Sequence, residues 1–524
     1  MFDIEILDTT LRDGAQGEGI NFSLRDKLTV TQTLDELGVA WIEAGNPGSN
    51  PKDLEFFRLA KSLNLKNAKL CAFGSTRKKG IKANEDSQLC LLLNAGTEGV
   101  AVFGKSWNLH VSEVLHVTPE ENLAMIADTV AFLKSEGRVV IYDAEQFFDG
   151  FAADRDFALS TVRAAVLAGA DRIVLCDTNG GAFPDAVSCA VKEIIKTFPG
   201  TIIGIHAHND CGLALANSLA AVQAGCAHVQ GTLAGFGERC GNTALASLIP
   251  SLELKLSLRC LPQGNLVRIG ELTRKVAETA NVIISDDMPY IGAHAFSHKA
   301  GMHSDGVLKT SVSFEHIEPS AVGNDRHLLL SEIGGRSAIL ERVKKIDPSV
   351  NKDHPVVITL AEKIKKLEAE GWAYEGADAS FEILIRRELG SFTPFFKIEA
   401  YRVTSEHPAR ETIECSHAWV KVLVGDTSEV AAAEGVGPVG ALDSALRRAL
   451  SRFFPGLAKV RLEDYKVRVI DGKDATSAQV RVLIETTDGQ RSWSTVGVSA
   501  DIIDASRAAL VDSIEYMLIN EVDC

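Results

Sequence analysis

The feature that most constrains this chain is an alternation. Short β-rich runs and longer amphipathic segments follow one another through about the first 250 residues. The runs that read as strands are Asp3 to Leu7, Trp41 to Ala44, Lys69 to Phe73, Gly99 to Phe103, Val139 to Tyr142, Arg172 to Cys176, Ile202 to His206 and His228 to Gly231. Between them Ser23 to Leu37, Glu120 to Ser135, Arg155 to Ala168, Ala186 to Phe198 and Leu213 to Ala224 carry helical periodicity. Several of these follow a Ser, Thr, Asp or Pro that can start a helix. Strand and helix repeated in this way predict an α/β fold, a (β/α)8 TIM barrel, whose reactive side chains gather at the carboxyl ends of the strands.

The polar clusters fall where such a barrel would put them. Asp8-Thr9-Thr10-Leu11-Arg12-Asp13-Gly14 follows the first strand, Asp143-Ala144-Glu145 the fifth, Asp177-Thr178-Asn179-Gly180 the sixth, and Gly231 to Asn242 the eighth. The seventh ends in His206 and His208. Two apart on an extended chain, they project to the same side. Two imidazoles and a hard carboxylate suit a divalent metal ion and leave positions for a bidentate substrate. Asp13 offers the carboxylate, and Asn242 an amide that reaches the ion directly or through water. An isolated His-X-His is as readily a pair of polar residues at a strand end, and it is the convergence of the other clusters that favours a metal.

Arg12 beside this set is a fixed positive charge for an oxyanion, or half of a salt bridge. Thr178 offers a hydroxyl to a substrate carboxylate, or is a turn residue after a strand. Glu145 adds a hydrogen-bond acceptor. The loop Gly235-Phe236-Gly237-Glu238-Arg239-Cys240-Gly241-Asn242 lacks the Gly-Lys-Ser/Thr ending of a P-loop.

Length, 524 residues, predicts two or three domains. A formal charge of -16 argues against a nucleic-acid or anionic-membrane binder. No apolar run is long enough for a membrane helix, and Met1-Phe2-Asp3-Ile4-Glu5 does not resemble a signal peptide, so a cytoplasmic protein is expected. Its 10 cysteines show no Cys-X-X-Cys spacing and read as small buried hydrophobes.

Four motifs in order carry a resemblance. Thr9-Thr10-Leu11-Arg12-Asp13-Gly14, His206-Ala207-His208-Asn209-Asp210, Gly235 to Asn242, and Ser297-His298-Lys299-Ala300-Gly301-Met302-His303 resemble the 2-isopropylmalate synthase, homocitrate synthase and citramalate synthase family. The resemblance implies a metal-dependent barrel that condenses acetyl-CoA with a 2-oxo acid. It makes Asp13, His206, His208 and Asn242 the metal set, for Mg, Mn, Co or Zn. It gives catalytic roles to Arg12, Glu145, Glu238 and His303, substrate contacts to Arg12, Tyr142, Glu145 and Thr178, and a cofactor contact to Gln16. His303 becomes the base that takes a proton from the acetyl methyl, oriented by Glu238. Read without the resemblance, His303 is a surface histidine and Glu238 a salt-bridge partner of Arg239.

Ala15, in Arg12-Asp13-Gly14-Ala15-Gln16, together with Glu43 to Pro51 and Tyr142 to Gly150, is similar to one citramalate synthase branch, which uses pyruvate. Tyr142, Phe147 and Phe148 are then candidates for restricting the pocket to a small acid, or ordinary core. Phe314 departs from the family, which commonly has Tyr there; either His316 or water replaces its hydroxyl, or the role is dispensable in this branch.

Residues 1-262 are expected to form the catalytic barrel and 263-372 a mainly helical linker, with helices over Asn265 to Asn281 and Arg336 to Lys345 and an exposed helix end at Lys363 to Glu370. Residues 376-520 read as an α+β domain of two βββα repeats. The strand-like runs of the first are Phe381 to Arg387, Phe395 to Val403 and His417 to Val424, leading to a helix over Val439 to Phe453. Those of the second are Val460 to Ile470, Ala478 to Glu485 and Arg491 to Val498, leading to Asp501 to Ile519. Gly437-Pro438-Val439-Gly440-Ala441-Leu442-Asp443 resembles the family's regulatory domain, which implies a part that dimerises and binds the pathway's amino acid, here isoleucine; a purely dimer-forming role is the alternative. A 2-isopropylmalate synthase, a lyase of the same superfamily and a non-enzymatic amino-acid sensor are the competing readings.

Overall fold

The computed structural model describes residues 3–299, 301–328, 336–406, 415–470 and 478–522. Ala300 of the fourth motif lies outside the described residues. The chain divides into two compact units, Met1–Phe296 with Ile317–Arg326, and Ser297–His316 with His327–Cys524.

The first unit is built on a closed parallel barrel. Its strands are β1 (Glu5–Asp8), β2 (Trp41–Glu43), β3 (Lys69–Ser75), β4 (Gly99–Lys105), β5 (Val139–Glu145), β6 (Arg172–Asp177), β7 (Ile202–Ala207) and β8 (His228–Gly231), hydrogen-bonded in chain order with β8 closing on β1. The eight strands fall where the alternation predicts them, and β4 and β5 run on far enough to carry Lys105 and Glu145.

Alternate residues face opposite sides of each strand. One set, Ile6, Ile42, Val100, Val140, Tyr142, Ile173, Leu175, Ile203, Ile205 and Val229, packs under the surrounding helices in the main core. The other set includes Leu7, Trp41, Cys71, Ala101, Ile141 and Val174, which plug the barrel interior as a separate apolar cluster. Above that plug, towards the carboxyl ends, the interior positions turn polar. The helices dock by ordinary capping and burial. Leu24–Leu37, for example, starts with a reciprocal pair in which Ser23 accepts from Asp26 N and Asp26 accepts from Ser23 N. That helix is tied down by Lys27, buried, whose Nζ donates to Asp53 Oδ1 at 2.5 Å and to Ala44 O at 2.8 Å. Helix Ile269–Thr279, which realises the expected Asn265 to Asn281 segment, buries Ile269, Leu272 and Val276 in the same main core.

The second unit holds the two-residue pair β9 (Ser297–His298) and β10 (His327–Leu328), then helices Arg336–Ile346, Pro355–Ala369 and Asp378–Glu388 around an apolar cluster of their own. Two antiparallel three-stranded sheets follow. The first is β11 (Lys397–Glu406), β12 (Cys415–Val424) and β13 (Thr427–Gly435) with helix Pro438–Leu450. The second is β14 (Arg461–Val469), β15 (Val480–Thr487) and β16 (Ser492–Ser499) with helix Ile502–Val522. Three strands and a helix, twice, is the expected repeat.

The content of the first repeat differs from the expectation. Phe381 to Arg387 is helical, within Asp378–Glu388, where Phe381, Leu384 and Ile385 recur at the spacing of one helix face and are buried together. The missing strand is β13, whose Ala431, Ala432 and Ala433 gave no β-branched signal; its regular pairing with β12 holds it extended.

Candidate metal centre and active site

Three side chains meet at the carboxyl end of the barrel. Asp13 sits in the turn after β1, where its N–H donates to Thr9 Oγ1. His206 belongs to β7, and His208 lies just past it, bridged to Asn242. Asp13 Oδ2 is 3.5 Å from His206 Nε2 and 3.8 Å from His208 Nε2, and the two Nε2 atoms are 3.3 Å apart. All three residues are buried.

The donor set fits a cation. His206 Nδ1 lies 3.0 Å from Gln230 Oε1; an amide oxygen accepts, so this pairing calls for the ring proton on Nδ1 and turns an Nε2 lone pair to the centre. Burial pushes the His206 pKa down to about 3 and lowers that of His208, so neither imidazole supplies the charge itself. Burial works against ionisation of Asp13, but Arg12, His206, His208 and the hydrogen bond from Asn242 together outweigh it and hold the carboxyl below its usual range. An anionic oxygen and an imidazole lone pair thus converge, and His208 Nδ1 is buried with no partner among the described residues. Such a set is what a divalent ion with nitrogen and oxygen ligands requires.

The flanking groups hold this geometry. Asn242 meets Asp13 through its amide nitrogen, Nδ2 donating to Oδ1 at 2.8 Å, while its own Oδ1 is buried with no partner among the described residues. Gly237 makes room for it: its φ is +151°, and a Cβ there would stand 2.1 Å from Asn242 Nδ2. Arg12 is fixed from three sides. It donates to Asp13 Oδ2 at 2.8 Å and to buried Glu43 Oε1 at 2.6 Å, and lies 3.8 Å over the Phe73 ring. The salt-bridge reading of Arg12 is therefore met, and it is met at the edge of a cavity.

That cavity, about 220 Å³, is lined by Arg12, Asp13, Gln16, Glu145, Thr178, His206, His208 and Glu238, with Phe73, Phe103 and Cys176 as apolar wall. Thr178 Oγ1 accepts from Gln146 N at 2.9 Å, and Glu145 Oε2 pairs with Lys105 Nζ at 2.5 Å. Arg239 makes its close contacts with Asp210, at 2.7 and 3.0 Å, and with Thr178 O, at 2.8 Å, and only a 3.4 Å contact with the exposed Glu238.

Tyr142 is not at the site. On β5 Asp143 and Glu145 point inward, so period two turns Tyr142 outward, fully buried in the core beneath the helices. Phe147 and Phe148 belong to that core as well. In the second unit His303 lies on helix Gly301–Lys309, exposed, its ring stacked on Phe314 with centroids 4.2 Å apart. Glu43, Lys105, Phe73, Phe103 and Gln230 have site positions that the motifs did not announce. For Gln230 a signal existed: His228 and Gln230 put polar side chains at alternate, interior positions of a barrel strand.

Residues 3–276 match the HMGL-like family, 290–371 the homocitrate synthase post-HMGL domain-like family, and 375–518 the LeuA allosteric (dimerisation) domain. An (R)-citramalate synthase of Aquifex aeolicus is 48% identical over 518 residues, 99% of this chain and 98% of that protein. The chain belongs to the citramalate synthase family. A further citramalate synthase, from Synechocystis, is 45% identical over 98% of this chain and 96% of its own. A 2-isopropylmalate synthase of Methanocaldococcus jannaschii stands further off, 30% identical over 98% and 95%. Citramalate synthases are acetyl-CoA-dependent acyltransferases, and the barrel followed by a dimerisation domain is the arrangement the family resemblance implied.

Proposed function

We propose that this chain condenses acetyl-CoA with pyruvate to give (R)-citramalate and CoA. The observation that carries the reading is the 48% identity to an (R)-citramalate synthase over nearly the whole of both chains. The cavity of about 220 Å³, with Phe73 and Phe103 in its wall, supports a small 2-oxo acid.

Asp13, His206 and His208 would hold a divalent ion, Mg, Mn, Co or Zn, with Asn242 steadying Asp13. Its chemistry there is that of a Lewis acid on the carbonyl of the oxo acid. Arg12 is assigned to the negative charge that grows on the keto oxygen; pinned by Glu43, it has little to reorganise as the reaction proceeds. Thr178 keeps its own O–H to donate to the substrate carboxylate, and Glu145, steadied by Lys105, is the acceptor inside the cavity. Gln16, at the exposed rim, is assigned to acetyl-CoA. The resemblance assigns His303 as the base that takes the acetyl methyl proton, with Glu238 orienting it. The methyl carbon then bonds to the keto carbon, the keto oxygen takes a proton, and water cleaves the thioester to release CoA. Incubation with acetyl-CoA and pyruvate is expected to yield a product identified by mass and chiral chromatography as (R)-citramalate; CoA release without this product would reject the reading.

The match of residues 375–518 to an allosteric dimerisation domain supports a homodimer inhibited by isoleucine, within a division into barrel (1-262), linker (263-372) and regulatory domain (376-520). A cytoplasmic location belongs to the same reading; among the described residues no helix is long and apolar enough to cross a membrane. Calorimetry with isoleucine and with leucine tests the effector, and heat from leucine alone would reassign it.

A further inference from the structure

Gln230 stands where the barrel interior changes from apolar to polar, and an amide is an unusual choice for a fully buried place. Its register partner on β7 is His206, and on β1 it is Leu7 of the apolar plug. A leucine or methionine would fill the same space. The glutamine instead meets two polar partners at hydrogen-bond distance: Nε2 donates to Asp143 Oδ1 at 3.0 Å, and Oε1 accepts from His206 Nδ1 at 3.0 Å.

An amide has one donating end and one accepting end. The structure turns the NH2 end to Asp143 Oδ1, which accepts, and leaves the amide oxygen for the imidazole. We propose that Gln230 is a positioning residue of the metal centre: clamped by Asp143, it holds His206 in the tautomer with its proton on Nδ1 and its Nε2 lone pair turned to Asp13 and His208. A buried ring without this acceptor is free to carry its proton on Nε2, where it faces His208 Nε2 at 3.3 Å and blocks a ligand position. Interposing a neutral amide also keeps the Asp143 carboxylate from bonding the ring directly. The arrangement joins three strands, β5, β7 and β8, so the tautomer is set by barrel closure itself.

The proposal rests on the metal reading of Asp13, His206 and His208, and its test separates the two. Metal-free full-length protein labelled with 15N-histidine is expected to show one buried imidazole protonated at Nδ1 that disappears in His206→Asn. In Gln230→Leu that signal is expected to move to the Nε2-protonated form or a mixture, while affinity for Zn or Mn, read by competition with a chromophoric chelator, falls by about 10- to 100-fold. The double variant Gln230→Glu with Asp143→Asn again offers an acceptor to His206 and a donor to that acceptor, and is expected to regain both the tautomer and most of the affinity. Wild-type His206 protonated at Nε2 would overturn the proposal, as would Gln230→Leu with unchanged tautomer and affinity. Should that variant fail to fold, a folded double variant with the wrong tautomer overturns it equally. Wild-type protein that shows the Nδ1 proton yet takes up neither ion would overturn the metal reading while leaving the tautomer assignment standing.

Discussion

At His206 the behaviour of the site is decided by what each ring nitrogen faces: an amide oxygen on one side, Asp13 and His208 on the other. Removing any member of that set should remove metal-dependent turnover. Asp13→Ala, His206→Ala and His208→Ala are each expected to lower kcat by at least about 10³-fold, and chelator treatment of the wild type should be reversed by adding divalent ion back. Arg12→Gln should cost about 10²- to 10³-fold in kcat, the range for losing one preorganised charge at an oxyanion. Phe103→Ala should shift kcat/KM towards longer 2-oxo acids by about 10-fold or more, since one methylene is worth roughly 1–3 kcal/mol in such a pocket; an unchanged ratio would take Phe103 out of specificity. The candidate metal set was legible in the sequence because two histidines at strand spacing and an Asp after another strand need only a barrel to meet. Glu43 was not, because its partners Thr9 and Arg12 come from the turn after another strand, and Gln230 showed only as a polar side chain at an interior position of β8. Tyr142 lies away from the site because strand period two turns it to the core face of β5, a face that the motif alone does not reveal.

Elements position these residues, and their own local physics can be tested. Gly237→Ala would drive a Cβ into Asn242 Nδ2 and force a strained positive φ, so it is expected to weaken metal affinity while leaving the barrel folded; measuring affinity and melting side by side checks this. Lys27 is buried between Ala44 O and Asp53. Lys27→Met leaves Asp53 buried without its cation, and denaturant unfolding should show a loss of about 3–5 kcal/mol. The barrel strands and major helices were legible because period and capping agree along those segments. The run Phe381 to Arg387 was not, since a short apolar stretch carries both periods, and alanine-rich β13 is extended only because β12 pairs with it.

At the scale of the whole molecule, the second unit should respond to pH through helix Ile502–Val522. Burial pushes Asp512 up to about 6 and Glu515 up to about 7. A carboxyl whose folded-state pKa is raised binds its proton more tightly when folded. Its contribution is fully present below the unfolded value near 4 and is lost as pH rises through 6 to 7. Glu515→Gln should therefore gain stability relative to wild type at pH 8 and lose that advantage at pH 5, read by denaturant unfolding of the full chain; an equal difference at both pH values would contradict it. The order of the parts, barrel first and repeated sheets last, could be read from periodicity and repeat. The central claim, that the site joins an acetyl group to pyruvate, is tested most directly by free-CoA release from the metal-reconstituted protein. Acetyl-CoA would be offered with pyruvate, 2-oxobutyrate, 2-oxoisovalerate and 2-oxoglutarate in turn. Highest kcat/KM with pyruvate, and citramalate as product, is the result predicted; preference for 2-oxoisovalerate, or no turnover with any of the acids, would contradict it.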